Sequence, residues 1–585
     1  MKMQQCLQIQ LKQKNFNQEP INRFGMKSLL IKTSAALIFV AIAFAFNQKS
    51  LAQQPQGYQE EITIIGSYTP TITDAYKLHF NPDIRQEEFR LPELSYSINP
   101  VQLNTRIELD EIRPANMTGE PLKKLYRNFV KLGYGNYSSP YFEFFINSLR
   151  SEETQFGLHL KHHSSNSGID EYAESSFSNN LADLYLKKFF KNHSLNTNAY
   201  YKRNMLHYYG FKPDSFPAFD FDEEDIMQRY QTLGLNLEFG SNYLKEKKFH
   251  HNFALNYYYL RDFYESYEHG IGFRTSLKKG VEIFDDNYSD LGLDLDLDYY
   301  LQGDSLADRN DGVLRVNPYG RLDFGQYSLR VGFTTAVGLD SSSNIDFFPD
   351  IMAEINVVPE YLTAFAGFTG NVDKASFRKL SSENPFINSL IPQLYVKKKM
   401  EFFGGITGNI AEVIDYTIRI GSSSYENMPL FVNDTSAPAG NRFTVVYDDV
   451  SEVKARAELG YKHTEKLRFR LGAEYLQYNT DSELEAWHKP SYTMNFGADY
   501  NIGDKFLINA EVIGYGKMYA RTFENGNVVA EEIDGWLDLN LGIEFRYTKN
   551  LSAFANFNNI GNTQYQKWYN YPVQKFNFLA GLTYS

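Results

Sequence analysis

Hydrophobic and polar residues alternate one by one along much of this chain. In the segment 466–478, every second residue from Leu467 to Tyr475 is hydrophobic, and the residues between them are charged or glycine. Such period-two alternation predicts β-strands that have one apolar face and one polar face. The same pattern recurs in the segments 290–299, 452–463 and 535–547.

The alternating segments are long for a water-soluble sheet. Strands of soluble proteins usually contain about 5–6 residues, whereas a tilted strand needs about 9–11 residues to cross a bilayer. Because lipid offers no hydrogen-bond partners to the backbone, spanning strands must close into a barrel. The pattern therefore predicts an all-β fold, a transmembrane antiparallel β-barrel. Tyrosines where strands meet turns predict its aromatic girdles, namely Tyr461, Tyr475, Tyr478, Tyr492, Tyr500, Tyr519, Tyr547 and Tyr584.

The spacing of turns predicts the strand number. Short polar connections lie near Ser151–Glu153, Lys191–His193, Tyr243–Lys248, Lys279–Val281, Gly325–Gln326, Pro359–Glu360, Ile410–Glu412, Thr464–Glu465, Ile502–Asp504 and Thr548–Asn550. Between most of them, two alternating runs are joined by a longer segment, as at 207–227, 372–398, 424–440 and 519–531. Short turns at one end and long loops at the other are typical of outer-membrane barrels, which predicts about 22 strands between Arg127 and Tyr584. The run from Asp308 to Gly312 is interpreted as a further tight turn.

Composition narrows the function classes. The chain has 585 residues, a net charge of −13, 16% aromatic residues and one cysteine, Cys6. A mean hydropathy of −0.44 disfavours a helical membrane protein, and the acidic balance disfavours a nucleic-acid partner. The single cysteine excludes a disulfide framework and a cysteine-based zinc site.

The first 52 residues have the pattern of a signal peptide. Met26 is a plausible start, Lys27 and Lys32 form a basic region, and an apolar stretch of signal-peptide length follows. Small residues before Ala52 predict cleavage after that residue; a retained anchor is the alternative. We therefore expect a signal peptide at 1–52, a periplasmic or plug-like segment at 53–126 and the barrel at 127–585.

No pattern of catalysis accompanies the strands. The chain contains no Gly-x-Ser-x-Gly, His-Glu-x-x-His or phosphate-loop motif, so we expect no enzyme activity, cofactor or metal site. The candidate chemistry consists of charged residues on the polar faces of strands. These ladders are expected either to set a field for permeating solutes or to stabilise the barrel wall through salt bridges. They comprise Asp294, Asp296, Asp298, Arg456, Arg468 and Arg470.

Both ends of the predicted mature chain resemble TonB-dependent receptors. A strand running into Asn558-Asn559-Ile560-Gly561-Asn562, then a final alternating strand from Phe576 to Tyr584, is similar to the hairpin that closes the barrel in that family. The stretch Glu60–Tyr68 resembles the segment that opens the plug region. The resemblance implies contact with a TonB-type energy transducer through Glu61, Ile62, Thr63, Ile64 and Ile65. It also implies recognition of the last strand by the barrel-assembly machinery.

The segment before the barrel is short for this family. Only 73 residues lie from 53 to 125, far fewer than a complete plug contains, and the Gly-rich pattern of plug cores is missing. The chain therefore looks most like Bacteroidetes-type barrels with a truncated or absent plug. The resemblance implies an outer-membrane location, contact with lipid and uptake of a solute, with a surface lipoprotein as a further partner. The alternatives are a plug-less structural or assembly barrel with lipoprotein or barrel partners, and a passive pore.

Overall fold

The computed structural model describes residues 126–217, 222–245, 247–284, 287–339 and 344–585. The predicted signal peptide, nearly all of the predicted segment 53–126 and the stretch Glu61–Ile65 lie outside the described residues. In the part of the chain that the structure describes, no helix combines the length and the apolar character needed to cross a membrane.

Twenty-two antiparallel strands form one closed sheet, because β1 pairs with β2 on one side and with the last strand, β26, on the other. The first half consists of β1 Asn128–Gly135, β2 Ser139–Asn147, β3 Thr154–Ser165, β4 Phe177–Phe189, β5 His193–His207, β6 Met227–Ser241, β7 Phe249–Arg261, β8 Tyr267–Phe284, β9 Asn287–Gly303, β10 Asp308–Phe324 and β11 Tyr327–Gly338. The second half consists of β12 Ile345–Val358, β13 Leu362–Lys374, β14 Tyr395–Ile410, β15 Ile414–Asn433, β16 Phe443–Thr464, β17 Leu467–Thr480, β18 Tyr492–Ile502, β19 Phe506–Tyr515, β22 Trp536–Arg546, β23 Leu551–Asn558 and β26 Asn577–Tyr584.

Small elements occupy the longer connections. Two hairpins lie outside the barrel sheet, β20 Met518–Glu524 with β21 Asn527–Ile533, and β24 Gln566–Trp568 with β25 Tyr571–Pro572. Helices are short: a 3₁₀ turn Pro213–Ser215, α1 Glu223–Ile226 and α2 Phe377–Glu383. We call the end of the barrel that carries these elements the loop end and the opposite end the turn end.

The apolar face of the strands points away from the lumen. Leu132, Phe333 and Leu582 are each more than half exposed, with relative exposures of 53%, 52% and 56%. An apolar belt of this size is stable only when hydrocarbon surrounds it. The predicted fold class, a transmembrane antiparallel barrel of about 22 strands, is thus confirmed.

One of the ten predicted short connections is wrong, whereas the other nine fall where the sequence places them. Strand β8 continues through Lys279–Val281 to Phe284, because Lys278 pairs with Asp290 of β9 at 2.6 Å and Gly280 stays in register with the same residue. Paired charges across neighbouring strands thus hold a sequence that looks like a turn inside the sheet.

The predicted tight turn from Asp308 to Gly312 is also wrong. These residues form the first part of β10, in register with β9 from Gly303 to Tyr299. Asp311 is buried there and pairs with Lys374 of β13 at 2.5 Å. Asp311, one of the polar residues that suggest a turn, therefore forms a buried ion pair inside the barrel.

The predicted girdle tyrosines divide into three groups. Tyr478 is three positions from Tyr475, so the two side chains of β17 point to opposite faces, and Tyr478 packs inside against buried residues of the loop end. Tyr519 lies in the hairpin β20–β21, outside the barrel sheet. The prediction that Tyr478 and Tyr519 belong to a girdle is therefore wrong. Tyr461 lies in β16 and is half-buried. The exposed tyrosines of the set are Tyr475, Tyr492, Tyr500, Tyr547 and Tyr584.

Candidate functional site: a loop roof and the lumen beneath it

Connections at the loop end pack together over the lumen. Six of these connections are numbered by their order along the chain: L3 (208–226), L7 (375–394), L8 (434–442), L9 (481–491), L10 (516–535) and L11 (559–576). Their largest buried apolar cluster, which we call the roof core, joins side chains of L7 and L11 to the ends of β6, β7, β15 and β16. Its members are Tyr230, Leu260, Ala375, Phe377, Leu380, Ile387, Ile391, Phe431, Phe443, Val445, Trp568 and Tyr571.

The hairpin β15–β16 forms the centre of this roof. A bulge between Tyr425 and Met428, where Asn427 has a φ of 58°, shifts the register beyond the lipid-facing part of β15. Past the bulge both faces of the hairpin are buried. Phe431 belongs to the roof core, whereas Leu430 and its neighbours pack on the other face against Trp487 of L9. The hairpin is therefore covered by L7 and L11 on one side and by L9 and L10 on the other.

Polar contacts join loops from opposite sides of the barrel. The Asn441 side-chain amide of L8 donates to the backbone oxygen of Tyr208 in L3 at 2.7 Å. The Tyr208 hydroxyl donates to the backbone oxygen of Ile387 in L7 at 2.8 Å, and Tyr571 of L11 donates to the backbone oxygen of Asn441. Four loops are thus hydrogen-bonded to one another around a buried apolar core. This arrangement bridges the loop end from L3 to L7, L8 and L11.

Two buried carboxylates fasten L7 to the barrel wall. Glu268 of β8 accepts hydrogen bonds from the backbone N–H of Phe377 at 2.7 Å and of Arg378 at 3.2 Å, at the first turn of α2. It also accepts one from the Tyr258 hydroxyl at 2.6 Å. Asp262, between β7 and β8, accepts from the Ser389 hydroxyl in the second half of L7. A carboxylate at a helix N-terminus satisfies backbone donors that have no partner in the helix.

The ionisable groups of the roof respond to burial. Burial raises the pKa of Asp262 above its ordinary value, although hydrogen bonds from Ser389 and Gln228 oppose that rise. Burial lowers the pKa of His488 in L9 to about 4. With that pKa, His488 is neutral at neutral pH; its Nδ1 lies 2.9 Å from the backbone oxygen of Phe431, and its Nε2 accepts from the backbone N–H of Tyr569. The imidazole therefore links L9, β15 and L11 in its neutral form.

A polar cavity of about 710 Å³ lies beneath L7, between α2 and the wall formed by β6–β10 and β13. Its lining combines both signs of charge with amide and phenol groups. The lining residues include Tyr258, Arg274, Asp296, Asp298, Arg315 and Arg378. Such a lining suits a polar solute with several hydrogen-bonding groups better than an apolar one.

The structure places the aspartate ladder in this part of the lumen, with a basic partner for each carboxylate. Asp294 lies 3.3 Å from Arg330, which also bonds Asp350 at 2.9 Å. Asp296 lies 3.6 Å from Arg274. Asp298 pairs with Arg315, and both side chains are largely buried. The ladder is thus neutralised by residues on neighbouring strands.

The arginine ladder lies by other cavities, and two of its three members form ion pairs on the same or a neighbouring strand. Arg456 pairs with Glu458 on the same strand and with Glu474 of β17 at 3.3 Å. Arg470 pairs with Asp499 of β18 at 2.7 Å. Arg468 lines a separate cavity with Lys131 and Glu544. The two ladders therefore do not meet across the lumen as a pair.

Sequence reasoning missed the residues that build the roof. Glu268 and Asp262 look like ordinary polar residues near strand ends, and their partners are more than 100 positions away in the chain. Trp487 and Trp568 offered a signal, because large aromatic residues in polar loops are costly to expose. Within the described residues, no group of three or more His, Cys, Asp or Glu side chains is arranged to hold a metal ion.

Comparisons with known proteins identify the fold. No protein-family model matches the chain, and no curated protein sequence matches it either. The siderophore receptor PirA from Acinetobacter baumannii aligns over 79% of this chain and 81% of its own, with a TM-score of 0.59 and 10% identity. The pyoverdine outer membrane receptor FpvA from Pseudomonas aeruginosa PAO1 aligns over 79% of both chains, with a TM-score of 0.57 and 13% identity.

A third solved structure, FpvAI in its complex with pyocin S2, aligns over 79% of this chain and 73% of its own. Its TM-score is 0.58 and its identity 12%. At these identities the likeness establishes a shared barrel fold. The shared fold agrees with the barrel that the closing hairpin of the sequence implies.

Proposed function

We propose that this protein is an outer-membrane receptor that takes up a polar solute in the manner of TonB-dependent receptors. The closed 22-strand barrel, similar to those of PirA and FpvA, supports the proposal. In bacterial outer-membrane barrels the short turns lie in the periplasm and the longer loops outside the cell. This orientation puts the roof on the side where a solute arrives.

The packing of the roof favours a receptor over a passive pore. L7 and L11 share the roof core, and hydrogen bonds join L3, L7, L8 and L11 across the mouth, so a solute that enters there has to move these loops. A passive pore needs a permanently open path, which this arrangement disfavours. A receptor needs a closed entrance that ligand binding and an energy source open together.

We assign the energy input to the segment before the barrel. In this proposal Glu61, Ile62, Thr63, Ile64 and Ile65 bind a TonB-type energy transducer in the periplasm. Because the expected plug is truncated, the energy transducer pulls on the short segment 53–126 in place of a complete plug. The strand from Phe576 to Tyr584 is recognised by the barrel-assembly machinery during insertion into lipid.

The solute class follows from the cavity beneath L7. Its lining offers carboxylate, guanidinium, amide and phenol groups, which suit a hydrophilic ligand rich in oxygen. PirA is named as a siderophore receptor and FpvA as a receptor for pyoverdine. We therefore propose an iron chelate or a similarly polar compound, delivered with the help of a surface lipoprotein.

Deletion of residues 61–65 tests this function. Cells that carry the deletion as their only copy should lose uptake of a panel of ⁵⁵Fe-labelled chelates, and the purified variant should lose binding to the periplasmic domain of the TonB-type protein. Deletion of residues 54–58, which precede the contact segment and leave the predicted cleavage site in place, is the matched control and should leave both unchanged. Uptake and transducer binding that both survive the first deletion would exclude energised transport through this segment.

A structural or assembly barrel is the second candidate. The charges that line the cavity are paired with one another, and the roof is closely packed, as expected of a rigid shell. Purification from gently solubilised outer membranes distinguishes the two. Assembly factors or other barrels in stoichiometric amounts would favour the shell, whereas a surface lipoprotein would favour uptake. A steady current through the protein in planar bilayers would instead indicate a passive pore.

A further inference from the structure

The turn end of β4–β8 carries a concentration of basic residues that the uptake function does not use. The segment 187–193 contains three lysines and no acidic residue, and the segment 242–251 contains three lysines and one glutamate. Both segments belong to a protein whose net charge is −13. We call the exposed residues Lys188, Lys191, Lys245, Lys248 and Lys279 the basic rim.

The two turns form one continuous surface. The backbone N–H of Asn242 donates to the backbone oxygen of Asn192 at 2.7 Å, so the turn after β4 lies against the turn after β6. The ring centroids of His193 and His251 are 5.2 Å apart. Lys279 of β8 is in register with Phe249 at the start of β7. The lysines of the basic rim therefore share one arc of the barrel edge.

The basic rim has no anionic partner among the described residues. Nearby lysines do pair with carboxylates, since Lys247 binds Glu282 at 3.2 Å and Lys278 binds Asp290 at 2.6 Å. Within the described part of the chain, the five lysines of the basic rim form no such ion pair. Like charges gathered along one edge attract an external anion.

Aromatic residues place the basic rim at the membrane surface. His193 stacks on Phe239 at 5.2 Å, and Phe249 and Phe253 flank His251 on the lipid-facing side. These phenylalanines are exposed, as residues of an interfacial girdle are. Leu244 is 101% exposed at the tip of the second turn. A fully exposed leucine between lysines fits insertion at the boundary between lipid headgroups and acyl chains.

We propose that this arc is a binding site for an anionic phospholipid of the periplasmic leaflet. Lysines of the basic rim bind the lipid phosphates, while Leu244 and the phenylalanines contact its acyl chains. Five lysines on one arc favour a lipid with two phosphates, since clustered basic residues at membrane edges attract such headgroups. The site uses the orientation argued above but is independent of solute uptake.

Binding to purified protein tests the site. Mature full-length protein is compared with the triple variant K191Q/K245Q/K248Q in nanodiscs that contain tetraoleoyl cardiolipin and dioleoyl phosphatidylethanolamine, and retained lipids are counted by native mass spectrometry. The native protein should retain cardiolipin preferentially, and the variant should lose that preference by about tenfold or more. Raising the salt concentration should weaken the preference.

Two further variants make the result decisive. The matched control K466Q/K505Q/K549Q removes the same charge from three other turns and should retain cardiolipin like the native protein. The variant L244Q keeps all lysines and should reduce retention by about threefold, since one apolar anchor is lost. Equal retention by native protein and K191Q/K245Q/K248Q, or an equal loss in the control, would overturn the proposal. An acidic protein bound in place of lipid, with no cardiolipin preference in the native protein, would overturn it as well.

Discussion

The Asn441 side chain donates a 2.7 Å hydrogen bond to the backbone oxygen of Tyr208, although their loops stand ten strands apart in a ring of 22. L3 follows β5 and L8 follows β15, so the bond joins almost opposite points of the barrel wall. Beside it, the Tyr571 hydroxyl donates to the backbone oxygen of Asn441 from L11. The loops therefore form a connected layer, and perturbing one of them should loosen the others.

Replacement of Trp568 with alanine should loosen the roof and leave the barrel intact. Its ring lies 5.3 Å from that of Phe431 and 5.6 Å from that of Phe443, inside the roof core. Removing a buried tryptophan typically costs about 3–5 kcal/mol. Hydrogen–deuterium exchange should accelerate in 384–391, 441–443 and 566–572. The lipid-facing control Phe333→Ala should not change these rates, and unaltered exchange in W568A would contradict a shared core.

Replacement of Glu268 with glutamine should release α2 from the wall. Glutamine keeps the size of the side chain but has only one oxygen that can accept from the backbone N–H groups of Phe377 and Arg378. Its NH₂ group replaces the second oxygen and cannot accept from a backbone donor. The expected cost is about 1–3 kcal/mol. Trypsin should then cleave after Arg378 faster by about tenfold. Glu360→Gln, in an exposed short turn, is the control, and similar cleavage rates in both variants would show that Glu268 does not hold the helix.

Replacement of Arg330 with methionine tests whether the aspartate ladder stabilises the wall. The variant leaves Asp294 and Asp350 facing each other without their shared cation, so the thermal unfolding temperature in detergent should fall. Adding Asp350→Asn should restore part of the loss, with a coupling energy of about 0.5–3 kcal/mol. The more exposed Arg456, changed to methionine, should cost under about 1 kcal/mol. If the stability changes caused by R330M and D350N are simply additive, the Arg330–Asp350 ion pair does not stabilise the wall.

Acidification should weaken the roof through His488. Burial holds the pKa of this imidazole at about 4, whereas an unfolded histidine has a pKa of about 6.5. The unfolded roof therefore binds a proton first as the pH falls, and stability present above pH 6.5 is lost progressively down to about pH 4. The full loss is about 3 kcal/mol.

Exchange rates of 566–572 measured between pH 7 and pH 4, corrected for intrinsic exchange, follow this change. His488→Gln removes the titrating group and should flatten the dependence. Asp262 acts in the opposite direction, because burial raises its pKa and its protonated form is favoured in the folded roof. An identical pH profile in the His488→Gln variant would assign the effect to another group.

Local patterning determined the wall of this protein. Alternation is a property of neighbouring residues, so it showed the lipid-facing side of Leu467, Phe469 and Leu471 and most of the turns without knowledge of any distant contact. It failed at Lys279–Val281 and at Asp308–Gly312, where turn-like residues are held in strands by partners across the sheet. The inward direction of Tyr478 was also available from its odd spacing to Tyr475.

Only the tertiary structure decided what the polar faces and loops do. Alternation puts Asp294 inside, but its partner Arg330 lies two strands away on β11, and barrel register brings them together. The roof depends on contacts between residues separated by hundreds of positions, as between Tyr208 and Asn441. Local sequence carries no information about such pairs, since closure of the sheet determines which loops face each other. For that reason strand faces were predictable from the sequence and the packing of the loops into a roof was not.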